Sequence, residues 1–158
     1  MTAYMYWYIR PGRCRPRVWN FFKALQDSLP PEPFTSPPKI GVAGFCWGGL
    51  FCVQLCGEPD LVTCGFTAHP SLLTVPRDIN AVQRPLSVGN GEDDEWLGRK
   101  NMDKLKEILE VKEGMEVIVY KGAHHGFAVR GDPHDPRQME LGMRAEDQAV
   151  AWFKNHLQ

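Results

Sequence analysis

Several things are missing from this sequence, and the absences remove whole classes of function. No apolar run approaches the ~20 residues that cross a bilayer. The charges nearly cancel, at a formal −1, so no broad attraction to nucleic acid or to an anionic membrane is expected. No Cys-x-x-Cys occurs, which leaves a redox or metal-binding thiol protein with little support. The first residues, Met1 to Ile9, are aromatic but carry no basic segment ahead of a long apolar core. No small-residue cleavage site follows either, so a secretory signal is not expected. Internal repeats and low-complexity segments are absent too.

What is present is a chain of 158 residues with five cysteines, long enough for one domain with a real core. The cysteine count is odd, and four of the five fall in segments that read as buried. Reduced thiols in a cytoplasmic protein follow from that pattern. Cys52 and Cys56 share a helix face, but with no second pair to complete a ligand set they read as core.

The stretch around which the chain is organised runs from Lys39 to Gly49. A β-prone apolar run ends in Gly44-Phe45-Cys46-Trp47-Gly48, and a helical run follows from Leu50 to Cys56. This Gly-x-Cys-x-Gly layout is that of a nucleophile elbow, with cysteine in the place of serine. The nucleophile must stand on a sharp, strained strand-to-helix turn, and Gly44 and Gly48 are expected to leave room for its neighbours. At the start of a helix, backbone N–H groups and the dipole favour a thiolate at Cys46. A tight turn with an inert buried cysteine is the plain alternative.

Residues 1–16 interleave arginines with proline and glycine and read as a poorly ordered arm. Val18, Phe21, Phe22, Leu25 and Leu29 have helical spacing, and the prolines from Pro30 to Pro38 form a connector. Further strands are expected at Lys39–Phe45, Thr63–His69, Pro85–Gly89 and Met115–Tyr120. A helix from about Gly98 to Lys112 presents Met102, Leu105, Leu109 and Val111. A last helix to about His156 carries Met143, Val150, Trp152 and Phe153. Strands alternating with helices indicate α/β architecture, a mostly parallel doubly wound sheet flanked by helices. In such sheets, sites lie beyond the carboxyl ends of the strands. Cys46, the Asp93/Asp94 pair and the His124/His125 pair all fall there. Histidine can take the thiol proton and return it, and a carboxylate can fix its tautomer. The backbone N–H of Trp47 would serve as an oxyanion donor. His69 reads either as a second polar group at the site or as a hydrogen-bonded structural histidine, the latter being the commoner case.

Four motifs, Gly44-Phe45-Cys46-Trp47-Gly48-Gly49, Ala68-His69-Pro70-Ser71, Gly91-Glu92-Asp93-Asp94 and His125-Gly126-Phe127-Ala128-Val129-Arg130-Gly131-Asp132, together resemble the dienelactone hydrolase (carboxymethylenebutenolidase) family in its fungal-type branch. The likeness runs from about Arg15 to the C-terminus. It implies an α/β-hydrolase fold, a Cys-His-Asp triad without metal or organic cofactor, and hydrolysis of small lactones or related esters. It assigns the nucleophile to Cys46, the base to His125 rather than His124, and the acid to Asp94 rather than Asp93. Arg130 lies close to where the family holds a substrate carboxylate, and a surface salt bridge is an equal reading. Small-molecule pathways also recruit such folds for cyclisation or dehydration.

Against the family pattern the chain is N-terminally shortened, with only an arm and one helix ahead of the elbow. The region not matched resembles the part that supplies the second oxyanion N–H, and one such donor is worth ~10²–10³ in rate. The alternatives are a fragment, a mis-started frame, or a shortened relative that self-associates through its N-terminal side. A catalytically poor binding domain is the second functional reading.

Overall fold

The computed structural model describes residues 9–28 and 39–158. The chain divides into two compact units, residues 1–39 and 40–158. In the first unit, helix α1 spans Pro11–Asp27. It begins well ahead of Val18 and takes in part of the stretch read from sequence as an arm. Pro11 explains the early start, since proline at the first helical position loses no intrahelical bond and brings a helical φ with it. The helix ends at Ser28, whose hydroxyl donates to the carbonyl of Leu25 at 2.6 Å. The proline connector and the first eight residues lie outside the described residues.

The second unit holds β1 (Gly41–Phe45), α2 (Trp47–Leu55), β2 (Cys64–Ala68), α3 (Arg77–Asn80) and β3 (Leu86–Gly91). It continues with α4 (Arg99–Leu109), β4 (Met115–Tyr120), α5 (Phe127–Arg130) and α6 (Pro136–Leu157). The strands form a parallel sheet in the order β1-β2-β3-β4. Phe45 pairs with Ala68, Ala68 with Gly89, and Gly91 with Tyr120, so the carboxyl ends line up along one edge. Every residue of β2 and β3 is buried, as expected for central parallel strands covered on both faces.

Alternation along β2 sorts the two layers. Cys64, Phe66 and Ala68 pack with Trp152 of α6, joined by Phe153 and Leu157. Gly65 and Thr67 look the other way, toward Cys56, Cys52 and Gly49. Cys52, Cys56 and Cys64 are fully buried, as the sequence reading required of the first two. Burial raises the pKa of Cys64 to about 11 and pushes Cys52 upward as well, so neither is a ready nucleophile.

The helices differ from their expected registers in instructive ways. In α4, Met102, Leu105 and Leu109 are buried, whereas Val111 falls beyond the helix and is 84% exposed. In α6 the buried set is Leu141, Ala145, Gln148 and Trp152, while Met143 and Val150 face outward. The helix turns a polar residue inward because that residue finds partners. The Gln148 amide donates to Ser87 Oγ at 2.9 Å and to Glu116 at 3.1 Å, and its oxygen accepts from the Tyr120 hydroxyl at 2.7 Å. A buried amide so satisfied ties α6 to β3 and β4. Asp135 caps the helix, accepting from the N–H groups of Arg137 and Gln138. On the opposite side Lys112 Nζ gathers the carbonyls of Ile79, Asn80 and Val82 at 2.9–3.2 Å. No helix of the described residues is long and apolar enough to cross a membrane.

Candidate active site

Cys46 stands between β1 and α2 with φ +52° and ψ −118°. A non-glycine residue held there carries strain of order 1–3 kcal/mol, and such strain clusters at functional sites. Backbone contacts hold the turn. The Cys46 N–H donates to Ala68 at 3.4 Å, and its carbonyl accepts from Gly49 at 3.0 Å and from Ser71 at 2.9 Å. A Cβ on Gly44 would stand 2.5 Å from the Gly48 carbonyl oxygen, so β1 and α2 could not otherwise meet this closely. The expectation for Gly48 itself fails, because a Cβ there would meet nothing within 4 Å. Gly49 is the constrained partner, with Thr67 Oγ1 at 2.6 Å and Pro70 Cβ at 2.7 Å from an added Cβ. Both glycines fall inside α2, which starts at Trp47 rather than Leu50.

The loops after β3 and β4 are joined to each other. Glu92 N–H donates to the Tyr120 carbonyl at 2.9 Å and Asp93 N–H to the Ala123 carbonyl at 3.1 Å. A side chain on Gly91 would strike the Ala123 carbonyl. These contacts set Asp94 and His125 side by side. His125 Nδ1 lies 3.0 and 3.1 Å from the two carboxylate oxygens of Asp94. Its Nε2 lies 3.1 Å from Cys46 Sγ. The Asp94 side chain is fully buried and that of His125 is 8% exposed. Asp94 Oδ1 also accepts from Trp96 N–H at 2.9 Å, which fixes the carboxylate's orientation. Asp93 and His124, the neighbours that the sequence could not separate from these two without the family likeness, are exposed. Cys46, Asp94 and His125 thus come together from three separate loops.

Trp47 is the first residue of α2, and its ring meets Phe51 edge-on at 4.7 Å. Arg130 ends α5 on the surface, with no ion pair to a carboxylate among the described residues. Its guanidinium folds over Gly126, where an added Cβ would stand 3.1 Å from Nε.

His69 departs from the reading of a hydrogen-bonded structural histidine. It is fully buried at the end of β2, with φ +40°, and neither ring nitrogen has a hydrogen-bond partner among the described residues. Its ring meets His125 edge-on at 5.0 Å, with Phe127 at 5.7 Å and Phe45 at 6.0 Å. Burial, and after it the charge of His125, lowers the pKa of His69 to about 4, so its ring is neutral near pH 7. Two further neighbours were given no role of their own in the sequence reading. The Trp96 ring tilts over His125 at 5.4 Å while 61% exposed. Ser71 is buried, with Oγ 3.9 Å from Cys46 Sγ. Periodicity could not find Trp96 because it sits in an irregular turn.

Surface grooves lie elsewhere among the described residues. One of about 440 Å³ runs between β4 and α6, and one of about 420 Å³ borders Pro76 and α4. Neither is lined by Cys46, Asp94 or His125.

The family model of the dienelactone hydrolases ("DLH: Dienelactone hydrolase family") matches residues 12–157. The chain belongs to the dienelactone hydrolase family. This dienelactone hydrolase family chain is 28% identical over 149 residues to Hydrolase pyvD of Aspergillus violaceofuscus, covering 84% of this chain and 59% of that protein. It is 31% identical over 113 residues to Carboxymethylenebutenolidase 2 of Cupriavidus pinatubonensis, covering 66% of this chain and 48% of the other. In structure it is similar to a dienelactone hydrolase-like promiscuous phosphotriesterase, P91, from metagenomic libraries. The TM-score is 0.71 at 21% identity, over 99% of this chain and 66% of that one. The fold is therefore that of the α/β-hydrolases, and the chain spans about half to three-fifths of the length of the two curated relatives.

Proposed function

We propose that this protein hydrolyses small lactones or related esters through a cysteine nucleophile. The observation that carries the reading is the unbroken line from Asp94 through His125 to Cys46, with His125 Nε2 3.1 Å from the sulfur. His125 takes the thiol proton at Nε2, while Asp94 holds Nδ1–H and stabilises the imidazolium. The sulfur attacks the lactone carbonyl carbon, and the negative charge moves to the carbonyl oxygen, where the Trp47 N–H is the candidate donor. The C–O bond of the ring then breaks, and the leaving oxygen takes the proton from His125. A thioester on Cys46 remains. Water gives its proton to His125 and attacks the thioester, the C–S bond breaks, and the sulfur recovers its proton. The product is the ring-opened hydroxy acid, or its tautomer where the leaving oxygen is an enol.

Arg130, an exposed guanidinium on the short helix directly after His125, suits a substrate that carries a carboxylate. A relative named carboxymethylenebutenolidase supports the same substrate class.

The test is turnover of a panel of small unsaturated lactones, with and without a carboxylate, by wild type, Cys46→Ala and His125→Ala. Intact-protein mass of quenched reactions would look for an acyl adduct on the peptide bearing Cys46. Loss of turnover in both variants, with the adduct in wild type, is the expected result. Lactone hydrolysis that survives Cys46→Ala would overturn the mechanism, and an inert Cys46 in wild type would favour the binding role.

A further inference from the structure

The segment Ala68-His69-Pro70-Ser71 has no part in the three-residue line just described, yet it is built around the nucleophile. Cys46, His69 and Leu72 are the non-glycine residues with positive φ among the described residues. Two of these flank Ser71 within the loop, and the third is the nucleophile it faces. Strain at such positions persists only where surrounding contacts over-determine the backbone. Those contacts are present. Cys46 donates to the Ala68 carbonyl, Ser71 donates to the Cys46 carbonyl at 2.9 Å, and His69 N–H donates to Gly89 at 2.8 Å. Pro70 lies so close to Gly49 that a single added carbon would collide.

The outcome of this construction is one small hydroxyl at the sulfur. Ser71 is 3% exposed, and among the described residues its Oγ has Cys46 Sγ as its only hydrogen-bond partner, at 3.9 Å. A buried hydroxyl needs an acceptor. With a neutral thiol the contact is long, but hydrogen bonds at such sites shorten once charge develops. We propose that Ser71 donates its hydroxyl hydrogen to the Cys46 sulfur when His125 has taken the thiol proton, so that it is a second group holding the nucleophile as thiolate. The proposal rests on the Cys46–His125 reading above.

The thiolate faces few other charges. His125 approaches from the loop after β4, with Asp94 behind it from the loop after β3. His69, at the end of β2, contributes no charge near pH 7. Arg130 of α5 lies near enough to act on His69, and α2 presents its own N-terminus. Against that background, the removal of one donor is readable in the thiolate's titration.

The experiment is the pH dependence of Cys46 alkylation by iodoacetamide in the intact chain, with the labelled peptide identified by mass. Wild type, His125→Ala, Ser71→Ala, Ser71→Thr and Ser71→Val are compared. Loss of the hydroxyl should move the alkylation midpoint up by about half to one pH unit, slowing labelling below the midpoint by about 3- to 10-fold. Ser71→Thr should stay close to wild type. The Thr and Val variants have nearly the same shape and differ in the hydroxyl, so that pair decides the matter even if Ser71→Ala does not fold. If only His125→Ala moves the profile, the role of Ser71 is refuted and the Cys46–His125 pair stands. If wild type and His125→Ala share one ordinary thiol profile, the pair itself fails, and the Ser71 role falls with it.

Discussion

His69 offers a test that needs no substrate. Its ring is fully buried, its nitrogens have no partner among the described residues, and its pKa falls from the ordinary 6.5 to about 4. The folded state therefore resists a proton that the unfolded chain accepts freely. Between pH 6.5 and 4 the unfolded state binds more protons at this site, so stability falls as the pH falls through that window. Well above pH 6.5 neither state is protonated and the effect vanishes. A gap of 6.5 to about 4 corresponds to about 2 kcal/mol lost by pH 5 and about 3 kcal/mol by pH 4. The carboxylates titrate in the same range, so the quantity to measure is a difference between proteins. Urea unfolding of wild type and His69→Gln, at intervals from pH 7.5 to 4, supplies it. Their stabilities should converge as the pH falls, wild type losing about 3 kcal/mol more than the variant over the range. Parallel curves would show that His69 takes up its proton without penalty, and the account of a ring sealed against His125, Phe45 and Phe127 would be wrong.

Four shorter predictions accompany it. Gly48→Ala should raise thermal stability by about 0.5–1 kcal/mol through helix propensity, because the added methyl meets open space. Gly49→Ala should cost about 1–3 kcal/mol by overpacking against Pro70 and Thr67, and equal melting temperatures for the two variants would contradict the packing described. Asp94→Asn should lower kcat/KM by about 10²-fold or more, while Asp93→Asn leaves it near wild type. Equal losses would move the acid role away from Asp94. Gln148→Leu should destabilise the domain by about 1–3 kcal/mol in chemical unfolding, because Ser87, Glu116 and the Tyr120 hydroxyl lose a shared partner.

Much of this fold was legible because parallel strands and their connecting helices write themselves in apolar runs. Met115–Tyr120 was located to the residue, and Thr63–His69 within one residue at each end. The helices were read less well. The helical run was read from Leu50, yet the helix begins at Trp47, and Gly49 lets its first turn pass close to Thr67 and Pro70. Apolar spacing in the last helix pointed at Met143 and Val150, yet Gln148 outcompetes them because three polar partners wait on the sheet. At the site, residue types and chain order pointed to the loops that carry Cys46, Asp94 and His125, but choosing between Asp93 and Asp94, or His124 and His125, took the family likeness. Which member of each pair turns inward depends on hydrogen bonds between the loops after β3 and β4. Those are long-range facts, as are the contacts of Ser71 and Trp96.

The strand order has a consequence for how this site can vary. Cys46 follows β1 and His125 follows β4, at opposite edges of the sheet, three strand spacings or about 14 Å apart. The five residues from Lys121 to His125 extend at most about 17 Å, and they cross above the end of β2, where His125 rests on His69. The sulfur-to-imidazole distance is thus a gauge of the sheet's width and twist. A substitution deep in β2 or β3 that spreads the strands by a fraction of an ångström would be felt at the sulfur while the fold stays intact. An added carbon at Gly65 or Gly89 would collide with Cys56 or Gln148, so substitutions there disturb the packing of the sheet and the spacing of the site together.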